Sequence, residues 1–323
     1  MRPFESVMAK NLEDYAAYRR QRGYAQRAIN PPLVAFDRYL KAHHVSWEQL
    51  QQPAFFLHLR ATISPHPNTT NRMLSHVRSL FDYLVRRQIV ATNLLNDIPP
   101  MPERYFVPYV FSPEQTDYLL KAVCAAIRRD PINLIFDQGV YLAVVMLARC
   151  GMRINEPLRL GLHHYRPDEG SVYIERTKFR KDRLITLPQT VLVELDNYLA
   201  VRGSLGDQSR YLLAGRNGQP LKAQRVRTVF HRAVEAIVLK RPKRIMGNMT
   251  FGSPVPHSLR HSFAINTLNR IKARGISPRH ALPVLAAYMG HRKYQYTAAY
   301  LKVKDANDLA GLIAFTKSQL DVV

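Results

Sequence analysis

Cysteine is scarce: Cys124 and Cys150 are the only two in 323 residues, and they do not share a CxxC spacing. That excludes a disulfide framework, offers no structural zinc signature and fits a reducing compartment. Long apolar runs are missing as well. The longest, residues 140–148, falls far short of the ~20 residues that span a bilayer, and the opening MRPFESVMAKNLEDY has no signal-peptide core. A soluble, cytoplasmic protein is expected. Negative charge is the third shortage: 24 Asp and Glu stand against 47 Lys and Arg, and the excess of 23 positive charges is spread along the whole chain. A polyanion is therefore the expected partner. An anionic membrane or ribosomal RNA would suit the same charge, but 46% hydrophobic content, 10% aromatics and long periodic segments describe a folded protein that binds nucleic acid.

The length allows two ordinary domains. Residues 1–98 read as an all-helical DNA-binding domain. In residues 71–87, Met73, Val77, Leu80, Phe81 and Leu84 share one helical face, while Arg72, His76, Ser79, Tyr83 and Arg87 gather on another, wet and basic. Residues 6–22 end in Arg19, Arg20 and Arg22, and residues 31–43 begin with Pro31 and Pro32, which suit a first helical turn. Any one basic face could be merely solvated. Three in one small domain point to DNA, with Arg72, His76 and Arg87 as contacts.

Residues 99–111 carry Pro99, Pro100, Pro102 and Pro108 without a helical period, as an extended linker does. The second domain, residues 112–323, is expected to be mainly helical with a small sheet. Its start at Ser112-Pro113-Glu114-Gln115 reads as a capping box with proline at the first helical position. SVYIERTKFRKDRLITLP alternates β-branched and aromatic residues on both sides of a charged turn, the pattern of a hairpin. Helix is expected again over residues 222–239 and from Ser258 onward. Between them, Lys240-Arg-Pro-Lys-Arg opens a basic loop that either touches DNA backbone or is solvated.

Three stretches hold unusual combinations. ARCGMRINEPLRL has Arg153 and Glu156 just after an apolar helix; PVPHSLRHSFAINTL has His257 and Arg260 on one side of a helix start; AAYMGHRKYQYTAAYL has His291 among Tyr288, Tyr294, Tyr296 and Tyr300. Paired guanidinium forks suit the non-bridging oxygens of a phosphodiester, whose charge grows on attack at phosphorus. A free tyrosine, with a pKa of about 10, lies roughly 4 kcal/mol from its nucleophilic form at neutral pH. A neighbouring histidine removes much of that deficit.

Together, Arg153-Ile-Asn-Glu156, His257-Ser-Leu-Arg260-His261, Gly290-His291 and a tyrosine nine residues later resemble the catalytic signature of the tyrosine recombinases, the lambda-integrase-like DNA strand-transfer enzymes. The resemblance runs over roughly residues 111–313, and residues 1–98 are similar in character to the family's core-binding domain. It implies that Arg153 and Arg260 clamp the scissile phosphate, His257 takes the tyrosine proton, His291 donates to a phosphate oxygen, Glu156 supports Arg153 and Tyr300 is the nucleophile. Lys178 falls at the family's general-acid position, with Lys181 as the competitor. Lys181 and Arg183 join the expected DNA contacts.

The resemblance also implies four protomers on two duplex sites, with accessory proteins or partner recombinases in some systems. Residues 305–315, with Leu309, Leu312 and Ile313 on an apolar face, are a candidate docking helix. Neither metal nor cofactor is implied. Nine residues are about two and a half helical turns, so His291 and Tyr300 on one straight helix would face apart. A break at Gly290 or within residues 292–294 is expected. Tyr288 reads as packing, with Tyr294 and Tyr296 as the competing nucleophiles. His257 and His261 also stand at a zinc-binding spacing, but Ser258 occupies the place of a metalloprotease glutamate. A catalytically silent DNA-binding module and a type IB topoisomerase are the remaining alternatives.

Overall fold

The computed structural model describes residues 4–24, 26–175, 182–291 and 297, and the chain divides into two compact units, Met1–Tyr105 and Phe106–Val323. In the first, α1 (Ala9–Gln21), α2 (Gln26–Ala42), α3 (Pro53–Thr62) and α4 (Pro67–Arg86) enclose one core. Met73, Val77, Leu80, Phe81 and Leu84 of α4 are all buried, as their spacing requires. Tyr83 departs from the expected wet face. It is buried against Tyr18 and Tyr15, with ring centroids 5.0 and 5.5 Å apart, because it borders the apolar stripe and its large ring is better covered than hydrated. Pro31 and Pro32 also differ from expectation, lying inside α2 rather than in its first turn. Their missing N–H groups remove ladder bonds only near the start of a long helix, where few turns depend on them.

The proline-rich stretch is not a free tether. Asn68 donates to Arg104 O at 2.7 Å and accepts from Arg104 N at 2.9 Å; Asn71 does the same with Met101 at 2.8 and 2.7 Å. Each amide side chain pairs with the linker backbone much as a strand residue would. Prolines spare the chain some donors, and two asparagines on α4 satisfy the N–H and C=O groups of Met101 and Arg104.

The second unit is built around α6 (Pro131–Arg149). Its run from Leu142 to Leu147 is buried on every side, so the apolar segment too short for a membrane is the centre of the core. Among the described residues no helix is long and apolar enough to cross a membrane. Packed around α6 are α5 (Pro113–Ala125), α7 (Gln189–Ser204), α8 (Ala223–Ala236) and α9 (Pro256–Ala273). The α5 start is the capping box expected: Ser112 accepts from Gln115 N while Gln115 accepts from Ser112 N.

Among the described residues, two three-stranded sheets complete the fold. β2 (Tyr165–Arg166), β3 (Ser171–Ile174) and β4 (Arg183–Thr186) form an antiparallel sheet with Val172 opposite Ile185. These are the flanks of the expected hairpin; its turn, with Lys178 and Lys181, lies outside the described residues. β1 (Tyr105–Val107) forms the second sheet with β6 (Met249–Phe251) and β5 (Arg244–Met246), in the order β1-β6-β5. Here the basic segment expected as a loop is a hairpin instead. Its signal was present in Ile245-Met246-Gly247-Asn248-Met249, two apolar ends around a Gly-Asn turn, and Gly247 takes the φ of 58° that such a turn needs.

Candidate active site

The site forms where α6, β4, α9 and α10 (Pro278–Met289) converge. After α6 the chain turns through Gly151 at φ 60°, where a Cβ would lie 2.4 Å from the Phe263 ring, and this turn delivers Arg153. Arg153 and Glu156 then grip each other twice. Glu156 accepts from the Arg153 backbone N–H at 2.7 Å and from Nη1 at 2.9 Å. Pro256 opens α9, so His257 and Arg260 share the side of its first turn, near the positive end of the helix dipole.

Helix α10 ends as a Schellman motif: Gly290 N–H bonds Ala287 O at 3.0 Å and His291 N–H bonds Ala286 O at 2.9 Å, with Gly290 in the left-handed region at φ 66°. The helix therefore stops at one of the two places expected. Residues 292–296, with Tyr294 and Tyr296, lie outside the described residues. A Cβ at Gly290 would meet Arg183 Nη1 at 2.9 Å. Gly290→Ala is accordingly expected to cost about 1 kcal/mol or more, from strain at positive φ and from displacing that guanidinium. Thermal unfolding is the measurement, and an unchanged midpoint would contradict the closure described.

Three carbonyl groups at this helix end each receive an arginine. Arg183 Nε donates to Tyr288 O at 2.9 Å, Arg260 Nη2 to Met289 O at 2.5 Å and Arg153 Nη2 to Gly290 O at 3.3 Å. The last carbonyls of a helix have no intrahelical partner and carry the negative end of its dipole, so cations are favoured there. Arg260, only 1% exposed, also donates from Nη1 to Gly151 O at 2.6 Å, tying the Gly151 turn to α10.

His291 Nε2 lies 3.0 Å from Arg260 Nη2, and its Nδ1 lies 2.8 Å from the hydroxyl of buried Thr297. A guanidinium can only donate, so Nε2 accepts and the neutral ring carries its proton on Nδ1, which donates to Thr297. Donation from Nε2 to a phosphate oxygen would therefore need a proton gained there or a turned ring. Burial, then the charges of Arg260, Arg153 and Arg183, push His291 down to about 4. His261, set edge to face against His257 at 4.6 Å, is pushed to about 3 by burial, then by His257, Arg260 and His291. His257 keeps an exposed edge, yet crowding by protein atoms and then Arg260 and Arg153 hold it below its ordinary value, so it is a neutral acceptor at pH 7.

Burial would raise Glu156, but hydrogen bonds and charge from Arg183, then from Arg153, outweigh it and keep the carboxyl below the usual range. Arg183 was expected on DNA. Its side chain is instead 8% exposed and gives both Glu156 oxygens a donor, at 3.1 and 2.9 Å. A signal for this existed: Arg183 and Ile185 alternate onto the same sheet face, and Ile185 is fully buried. Sequence reasoning also passed over Thr297, which lies among tyrosines and lysines and carries no motif of its own.

Tyr288 packs on Phe263 and donates to Thr186 O at 3.2 Å, and burial pushes its phenol up, so it is a packing residue as expected. Lys178, Lys181, Tyr300 and residues 305–315 lie outside the described residues. In the first unit, Arg72 and Arg87 are exposed and His76 is half-buried, its pKa lowered by burial and then by Arg19 and Arg72. Among the described residues, no group of three or more His, Cys, Asp or Glu comes together as a metal site.

His291 and His261 carry a pH prediction. An unfolded histidine titrates near ~6.5, whereas folded His291 and His261 titrate at about 4 and about 3, so the unfolded chain binds more protons between these limits. Their contribution to stability is whole above ~6.5 and is lost as pH falls toward the folded values. Unfolding midpoints should drop through this window, and less steeply in His261→Phe. Equal slopes in the two proteins would count against the burial described.

The phage integrase family matches residues 112–307. Tyrosine recombinase XerD of Pseudomonas putida is 27% identical over 282 residues, covering 85% of each chain. The fold is that of XerH recombinase in a post-cleavage complex with palindromic difH substrate, at a TM-score of 0.64 and 17% identity, covering 93% of this chain and 84% of that one. A lambda integrase tetramer bound to a Holliday junction is similar at 0.60 and 16%, covering 90% and 78%. A family match over most of the length, on a fold that gathers Arg153, Arg183, Arg260 and His291 at one helix end, leads to one conclusion: the chain belongs to the phage integrase family, the tyrosine recombinases.

Proposed function

We propose that the protein is a site-specific DNA recombinase that cuts and rejoins duplex DNA through a 3′-phosphotyrosyl intermediate, acting in the cytoplasm on nucleoid DNA. The observation that carries this reading is the convergence of Arg153, Arg260 and His291 at the end of α10, with His257 close enough to feel both arginines, and with His291 nine residues before Tyr300, in a chain of net charge +23. The Tyr300 oxygen attacks phosphorus and its proton passes to His257. The bond from phosphorus to the 5′ oxygen breaks, and that oxygen takes a proton from Lys178 or Lys181. A 5′ hydroxyl from a partner strand then attacks the phosphotyrosyl bond and the proton transfers reverse. Because each step exchanges one phosphate ester for another, the bond is conserved and no ATP is called for.

Arg153 and Arg260 neutralise the growing charge on the non-bridging oxygens, from positions set by Glu156 and by the carbonyl groups of Gly151, Met289 and Gly290. The phosphate is itself an anion beside His291, so its arrival raises that histidine's pKa and favours the proton on Nε2 that donation requires. We assign the helical domain at residues 1–98 to the same duplex, with Arg72, His76 and Arg87 among its contacts, and four protomers to the complete exchange. Backbone contacts by this many cations make binding strongly salt-dependent.

The test is a denaturing gel for a protein–DNA adduct on nicked duplexes tiled across the DNA flanking the gene. A covalent adduct supports the reading. Tight duplex binding with no adduct at any position would leave a DNA-binding module, and plasmid relaxation without strand exchange would leave a topoisomerase.

A further inference from the structure

We propose that Arg183 is a positioning residue for the phosphate clamp, acting through Glu156 and the end of α10; the inference rests on the reaction proposed above. Arg183 belongs to β4, yet its guanidinium joins the two structures that hold Arg153. Two of its nitrogens bind the two Glu156 oxygens, and Nε binds Tyr288 O. Glu156 in turn holds the Arg153 backbone and Nη1, and Arg153 Nη2 reaches Gly290 O, one peptide beyond Met289. The contacts close a ring from β4 to Glu156, to Arg153, to α10 and back to β4. Both ends of Arg153's setting are therefore referred to one buried side chain.

The charges give the ring a second consequence. Glu156 alone would neutralise Arg153, the cation meant for phosphate. With Arg183 present, two guanidiniums share one carboxylate and the trio keeps one positive charge. Arg183 has Nε and both Nη groups engaged, by Tyr288 O and by the Glu156 carboxylate. It supplies the counter-charge for Glu156, and Arg153's own charge remains for the substrate. Gly290 lacks a Cβ where that guanidinium passes, which couples the helix closure before His291 to the same residue.

The experiment compares the full chain with Arg183→Met, Arg183→Lys and wild type, on a nicked duplex that wild type cleaves and on the same duplex with a methylphosphonate at the scissile position. A methylphosphonate lacks the charged non-bridging oxygen, so it asks less of the clamp. Arg183→Met is expected to slow adduct formation about a hundredfold on the phosphodiester and less than about tenfold on the methylphosphonate, from a misplaced clamp. Arg183→Lys should fall between, because lysine keeps the charge and loses the fork. Duplex affinity should change little.

Equal losses on both substrates would reduce Arg183 to a scaffold residue and overturn the proposal, as would a wild-type rate in both variants. If Arg183→Met does not fold, Arg183→Lys decides by the same ratio. Absence of an adduct with wild type on any duplex would instead remove the reaction reading, and the inference would fall with it.

Discussion

Replacing Tyr300 with phenylalanine is expected to abolish the covalent protein–DNA adduct while leaving duplex binding close to wild type. The change removes one oxygen, and with it the only atom through which this residue can bond phosphorus. Binding to duplex is carried by dispersed cations, 47 lysines and arginines in all, so one phenol contributes little to it. His257, neutral at pH 7, would still stand ready as a base but would have no proton to take. The measurements are adduct yield on a denaturing gel and retention on a native gel. An adduct that persists in Tyr300→Phe would move the nucleophile to Tyr294 or Tyr296, which Phe substitutions there would separate.

Arg260→Ala is expected to lower the rate of adduct formation by ~10²–10³-fold, the scale on which a preorganised donor to a developing oxyanion acts. Two effects add. The scissile phosphate loses a guanidinium, and Gly151 O and Met289 O lose the donor that holds the Arg153 turn against α10. His291 Nε2 also loses the partner that sets its tautomer. The protein itself should therefore melt earlier, since buried acceptors left without donors cost about 1–3 kcal/mol each. Arg260→Lys separates the two effects: it keeps a charge, but one ammonium cannot span both carbonyls as the fork does. Cleavage by Arg260→Ala near the wild-type rate would remove Arg260 from the clamp.

Local chemistry was legible wherever a residue's neighbours in sequence are also its neighbours in space. The α4 stripe, the Ser112 capping box, the β3–β4 flanks and the stop at Gly290 all depend on contacts within a few residues, and their patterns are visible in one dimension. Pro31 and Pro32 were misplaced because a first-turn preference is a tendency that a long helix can override. The β5–β6 hairpin was missed because its four nearby cations read as a loop and masked a short Gly-Asn turn.

Arg183 shows most clearly where such reading ends. In sequence its parity with Ile185 hints at the inward face of the strand, but nothing in RKDRLITLP names the groups it meets there. Its partners are 27 residues away at Glu156 and 105 away at Tyr288, distances over which no periodicity carries information.

The sequence by itself determined the class of partner, the helical character, the identity of the arginine and histidine motifs and the tyrosines proposed as nucleophile. Composition and short spacings are properties of the chain and survive without a fold. The tertiary structure decided which cations face inward and what they hold. Three carbonyl groups at one helix end receive donors brought from α6's exit, β4 and α9, which meets the energetic demand that buried polar groups be paired. The same packing sets the histidines' charge, because burial beside guanidinium groups, not the residue type, keeps them neutral.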